Sequence, residues 1–282
     1  MSERKYFLRQ STAAFACFLE SIGCGVVMSF TGTLFPQLEA DRHFVIDKTD
    51  ETWIASSAIL SMAFGCIIGG VSMPHLTRKI IITSTNLLMI IGFLTLYYSQ
   101  TVTHLLIGRI LCGSAMGTSR PALVTIVAEV ARPNLRTMFT NLIMLGHVVG
   151  ALLSDVNATF LTWRTNALIT CAYPCLAVII FTLLPETYGS HVEKQNLERA
   201  TQSFHWYRGY DNLSRQELTK IINQPLNNLD ILTLFDKKFF KAFIICTTFF
   251  AAGQLNGVNV LSLYSVEMFK NMFKTLTLII SL

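Results

Sequence analysis

The chain is built from long apolar runs separated by short polar stretches, and the runs do not alternate as a half-buried strand would. Seven of them have the length a bilayer asks for, at about 11–38, 53–73, 80–100, 105–128, 137–156, 163–184 and 239–264. A helix crossing roughly 30 Å of hydrocarbon needs about 20 mostly apolar residues. In lipid the backbone must satisfy its own hydrogen bonds, so these runs are expected as helices. Small residues inside them, Gly65, Gly69, Gly70, Gly113 and Gly117, predict close helix packing.

The expected fold class is therefore all-α and membrane-embedded, in three parts. Residues 1–184 form a six-helix bundle, 185–238 a polar loop, and 239–282 a seventh helix with the start of a further run. That run, Thr275 to Leu282, is too short to span, which predicts that a second bundle is only begun here.

Composition supports the same picture. The 282 residues are 52% hydrophobic and only 14% charged, and the charges cluster in the polar stretches. The first apolar run continues too far for a secretory signal and reads as a retained helix. All seven cysteines lie inside apolar runs without metal or disulfide spacing, and are expected to be packing residues. With the N-terminus inside, Arg4, Lys5, Arg9, Arg78, Lys79, Arg132 and Arg136 fall on the cytosolic side, against Arg42, Lys48 and Arg164 outside. This puts 185–238 in the cytosol, where Glu193 to Trp206 and Ser214 to Ile222 are expected to form short amphipathic helices.

No stretch has hydrolytic or metal-ligand spacing, and the six histidines are scattered. The sequence thus calls for no enzyme activity, no cofactor and no metal. Its partners are the lipid bilayer and a small molecule, with no nucleic acid. The sequons at Asn157 and Asn212 lie too near the membrane and in the cytosolic loop, respectively, to carry glycans.

The string Gly108-Arg109-Ile110-Leu111-Cys112-Gly113, with Gly117 and then Glu129 to Arg136, resembles the fourth-helix signature of the sugar porter family in the major facilitator superfamily. Trp163-Arg164, Pro185-Glu186-Thr187, Leu197 to Ala200 with Tyr207-Arg208-Gly209, and Gln254 to Asn259 with Tyr264 follow in that family's order. The resemblance covers nearly the whole chain and is nearest to insect-type trehalose and hexose facilitators. It implies a major facilitator fold, with its N-terminal bundle and helix seven present and the rest of the C-terminal bundle missing.

It also implies roles. Arg78, Lys79, Glu129, Arg136 and Glu186 sit at cytosolic helix ends, where half-solvated charges can bridge helices into an inner latch. The basic members also simply obey the positive-inside rule; the acids do not. Gln254, Asn256 and Asn259 are amides in an apolar helix, each offering a donor and an acceptor to sugar hydroxyls or to a neighbouring helix. Gly257 would break that helix between them. His147 is a further candidate sugar contact.

The chain departs from the family pattern at Pro74, Thr77, Thr137 and Gly189 in the latch, and at Met144 and Gly253, where sugar-binding amides are expected. The acid that faces Arg109 in proton-driven relatives is absent from Met28-Ser29-Phe30, which points to passive facilitation. Two charges lie outside the resemblance. Glu20 and Arg120 both fall about 13 Å from the cytosolic side, and an ion pair between them would relieve the cost of each. The expected function is facilitated, uniport transport of a sugar such as trehalose or a hexose across the plasma membrane. The alternative is a non-transporting fragment that senses sugar or binds a partner.

Overall fold

The computed structural model describes residues 2–40, 47–210, 212–222 and 237–257. All elements among them are helical. They run α1 (Ser2–Ala40), α2 (Lys48–Ser72), α3 (Arg78–Tyr97), α4 (Val102–Val130), α5 (Pro133–Phe160), α6 (Trp163–Thr170), α7 (Ala172–Leu183), α8 (Tyr188–Glu193), α9 (Leu197–Arg208), α10 (Asn212–Ile222) and α11 (Lys237–Leu255). Residues 1–222 and 223–282 are two separate units. Six stretches in the first are long and apolar enough to cross a membrane, with α6 and α7 together forming the sixth.

The helix boundaries have local causes. Thr77 and Thr101 cap α3 and α4 by accepting from the main-chain N–H of Ile80 and His104. Pro133 opens α5, where its missing N–H costs nothing. The sixth span is broken at Cys171, a feature the apolar run hides. Pro174 has no N–H to give the Thr170 carbonyl, and its ring crowds that carbonyl. The first helix begins nine residues before its apolar run, because its polar start is held by tertiary contacts: Arg9 donates to the Trp206 carbonyl and stacks on its ring, and Gln10 donates to the Tyr207 carbonyl.

Within the first unit α1 is the hub, packing on α5 and α7, while α4 lies between α2 and α3. The most apolar window of α1 is 83% buried, that of α5 only 28%. Glycine sets both main contacts. A Cβ at Gly113 of α4 would lie 2.2 Å from the Ala58 carbonyl oxygen on α2, and one at Gly150 of α5 would lie 2.0 Å from that of Ile22 on α1. These approaches leave no room for a side chain. Gly65, Gly69 and Gly117 serve the α2–α4 contact as expected, but Gly70 faces open space.

The outer faces of the spans are apolar: Leu60, Phe64 and Ile67 on α2 and Leu145, Val148 and Leu152 on α5 are all more than half exposed. Such a surface suits hydrocarbon and not water. Cys17, Cys24, Cys112 and Cys171 are buried packing residues, but Cys66, Cys175 and Cys246 are exposed, which corrects the expectation for those three. Asn157 donates to the Asn166 side chain within the bundle, 3.1 Å away.

Candidate functional site

Charged side chains gather at one end of the first unit, where α8, α9 and α10 lie against the ends of the spans. Arg78, the first residue of α3, is nearly buried there and sits 3.3 Å from the Glu129 carboxylate of α4. Its guanidinium also forks onto both carboxylate oxygens of Glu193 on α8. Bidentate pairing of this kind fixes geometry as well as supplying charge. Lys79 turns the other way: its Nζ donates to the carbonyls of Thr182 and Leu184 at 2.9 and 2.8 Å, capping α7. Its main-chain N–H donates to Glu186, which also accepts from Ser190 at 3.0 Å.

The five latch candidates are thus placed at one end, but in three sets. Arg78 meets Glu129, and Lys79 meets Glu186 through its main chain, whereas Arg136 lies 3.8 Å from Glu217 of α10. Glu193 of α8 gives Arg78 a second acid beside Glu129. Gly189, where the family pattern has a basic residue, is what admits Glu129: a Cβ there would lie 2.0 Å from its carboxylate oxygen.

The centre of this end is a buried arginine. Arg208, at the last position of α9, is 1% exposed. It donates to the Glu129 carbonyl at 2.6 Å and that of Ala128 at 3.2 Å, pairs with Glu217 at 2.7 Å, and lies over the rings of Phe204 and Tyr188. Gly209, at φ +86° against the Tyr6 ring, ends α9 directly after it. Tyr207 donates to the Pro185 carbonyl at 2.8 Å, and burial raises its phenol above the usual range. Burial raises the Tyr188 phenol as well and lowers the His191 imidazole. The sequence signal that could have found Arg208 is a cation one residue before a glycine helix stop, on a face with Phe204.

Deeper in the bundle the charged groups are few. Glu20 of α1 is fully buried, between the two apolar clusters that make the core. It accepts from the Asn86 amide of α3 at 3.0 Å, and the Ser119 hydroxyl and Arg120 guanidinium of α4 lie near enough to favour its charged form. Arg120 of α4 meets His147 of α5 instead, Nη2 to Nδ1 at 2.9 Å. The direct Glu20–Arg120 pair expected from equal depth is not made: equal depth does not fix azimuth, and Glu20 turns toward α3 while Arg120 turns toward α5. Arg109 is fully enclosed and donates to the Val27 carbonyl at 2.7 Å and that of Ile54 at 3.4 Å, tying α4 to α1 and α2. Gly108 packs on Leu96. Asp155 of α5, a third charge in an apolar run that sequence reasoning passed over, accepts from Ser29 of α1.

In the second unit α11 carries Gln254 in its last turn and ends at Leu255. Asn256 is exposed, and Gly257 has φ +71°, a left-handed backbone that ends the helix where the glycine break was expected. Asn259, Tyr264 and the run from Thr275 lie outside the described residues.

Six membrane-length helices packed on glycine contacts, with a network of charged side chains at one end, make this a helical membrane bundle of the major facilitator fold. The chain belongs to the family described as sugar (and other) transporter, whose profile matches residues 10–282. It is 27% identical over 273 residues to the facilitated trehalose transporter Tret1 of Apis mellifera ligustica, covering 94% of this chain and 54% of that protein. To the solute carrier family 2 facilitated glucose transporter member 8 of Bos taurus it is 25% identical, covering 95% and 55%. The chain spans about half the length of the curated relatives it matches. Among solved structures, the inward open conformation of the xylose transporter XylE from E. coli has the same fold, with TM-score 0.69 at 16% identity over 93% of this chain and 64% of that one.

Proposed function

We propose that the protein carries a sugar, such as trehalose or a hexose, across the plasma membrane by alternating access, as a facilitator not driven by protons. The charged end faces the cytosol together with the N-terminus. The observation that carries this reading is the convergence of Arg78, Glu129, Glu193 and Arg208, which joins the ends of α3 and α4 to α8, α9 and α10. Such a network is strong enough to hold one end of a carrier shut and is made of separable pairs, so it can be given up in the opposite state. The family and the relatives' names supply the substrate class. Passive transport is supported by Arg109, whose guanidinium donates to the main-chain carbonyls of Val27 and Ile54. Gln254, Asn256 and Asn259, on either side of the Gly257 break, are the proposed sugar contacts. A pattern of neutral amides suits the donor and acceptor hydroxyls of a sugar.

The test is uptake. Residues 1–282 are joined to the remaining half of the honeybee relative and expressed at the surface of cells lacking sugar carriers. Saturable uptake of labelled trehalose or glucose that survives a protonophore is expected. Gln254→Ala and Asn259→Ala should each weaken affinity about 5- to 100-fold, because an unmade hydrogen bond in a desolvated site costs about 1–3 kcal/mol. Surface-expressed protein that takes up neither sugar refutes the reading; uptake abolished by the protonophore refutes passive facilitation.

A further inference from the structure

Arg120 is a cation in the apolar part of α4 with a neutral partner. It lies nine residues before Glu129, about 13 Å along the helix from the charged end. A snorkelling arginine would run along its own helix toward the membrane edge. Arg120 instead reaches across to α5, where Nη2 donates to Nδ1 of His147 at 2.9 Å. To accept, Nδ1 must be unprotonated, so the imidazole is neutral and carries its proton on Nε2. No carboxylate lies within 4.0 Å of Arg120 among the described residues, and its remaining nitrogens are neither hydrogen-bonded nor sealed in. Glu20, the acid at this level of α1, is enclosed at 0% exposure and held by Asn86. An approaching solute would therefore meet the guanidinium and not the carboxylate.

We propose that Arg120 and His147 form a recognition site for a monoanionic carboxylate carried on a sugar, a hexuronate. The carboxylate accepts from the free nitrogens of Arg120, and Nε2–H of His147 donates to it or to a ring hydroxyl. A single guanidinium, already drawn toward the Glu20 carboxylate, has room for no more than one further negative charge. A phosphate dianion would leave a net charge in the interior of the bundle, where charge is costly. The carboxyl end of the ligand rests on this pair, and its sugar character rests on the function proposed above.

Equilibrium binding to residues 1–282 in lipid nanodiscs tests it, with labelled D-glucuronate, its neutral methyl ester and D-glucose. Glucuronate should bind about 10- to 100-fold more tightly than either neutral compound, the range for a hydrogen bond to a charged group. Arg120→Gln should abolish that preference while leaving glucose binding in place. Glu20→Gln, which leaves Arg120 intact, should retain or strengthen it. Should Arg120→Gln fail to fold, the ester comparison on the unaltered chain and Glu20→Gln still decide. Equal affinity for glucuronate and its ester overturns the site, as does an Arg120→Gln chain that keeps the preference or a Glu20→Gln chain that loses it. If propionate competes as well as glucuronate, the anion site stands and the sugar reading fails. If glucose binds but glucuronate gains nothing, the sugar reading stands and this inference fails.

Discussion

The charged end of the bundle and its interior handle polar groups in opposite ways. At the end, Arg78 and Arg208 each touch two or more partners from different helices. In the interior, Glu20 and Arg120 make their direct side-chain hydrogen bonds to neutral groups, Asn86 and His147. Water explains the difference. Close to the membrane edge, carboxylates such as Glu193 and Glu217, both about a third exposed, stay partly hydrated and add to a network at little cost. Between the apolar clusters every further charge would have to be desolvated in full, so amides and an imidazole take the place of counter-ions.

The largest expected effect comes from breaking the end at its most buried member. Arg208→Met removes a guanidinium that satisfies two carbonyls of α4 and leaves Glu217 without its 2.7 Å partner. Each buried carbonyl left unsatisfied typically costs about 1–3 kcal/mol. In detergent-solubilised protein the thermal midpoint should drop more for this variant than for any other single change at the end. Arg78→Met should follow closely, since Glu193 and Glu129 both lose it. A midpoint within error of the unaltered protein would mean that the end is not held by these contacts.

In the interior the expected effects are smaller and carried by one bond each. Asn86→Ala removes the amide that donates to the buried Glu20 carboxylate, and should cost about 1–3 kcal/mol. Glu20→Leu in the Asn86→Ala background should recover most of that loss, because no polar group is then left to satisfy. A double-mutant cycle should find coupling between Glu20 and Asn86 and less between Glu20 and Arg120. Stronger coupling of Glu20 with Arg120 would restore the ion pair that the observed contacts replace.

These two regions also mark how far the sequence could be read. Length and polarity alone give the six spans of the bundle and the polar segment after them, because hydrocarbon thickness admits few other solutions. Glycine spacing signalled close packing, yet neither that α2 and α4 are the helices it joins nor which glycines face outward, as Gly70 shows. The latch acids were visible because the positive-inside rule does not call for them. Their partners were not, since Glu193, Glu217 and Arg208 lie on short helices whose docking depends on three-dimensional position. The interior failed for a related reason. Helical rise gives the depth of Glu20 and Arg120, but their partners depend on azimuth, which the uneven apolar pattern of these helices does not encode. Asp155 was missed because it sits near the end of a long run, where one acid changes the average little.

The smallest effect is the one that isolates burial from contact. Arg136 and Arg208 address the same carboxylate, Glu217, from opposite conditions: Arg136 at 3.8 Å with its side chain 41% exposed, Arg208 at 2.7 Å with 1%. An exposed ion pair is worth about 0–1 kcal/mol, since each charge is well solvated without the other and salt screens what remains. Arg136→Ala should therefore lower the thermal midpoint by little, and raising the ionic strength should erase the difference. The loss from Arg208→Met should persist in high salt, because its carbonyl contacts and ring stacking are not reached by ions. If both variants lose stability equally, and both losses fade with salt, then the end of the bundle is held by simple charge attraction. In that case its contrast with the interior is one of degree only.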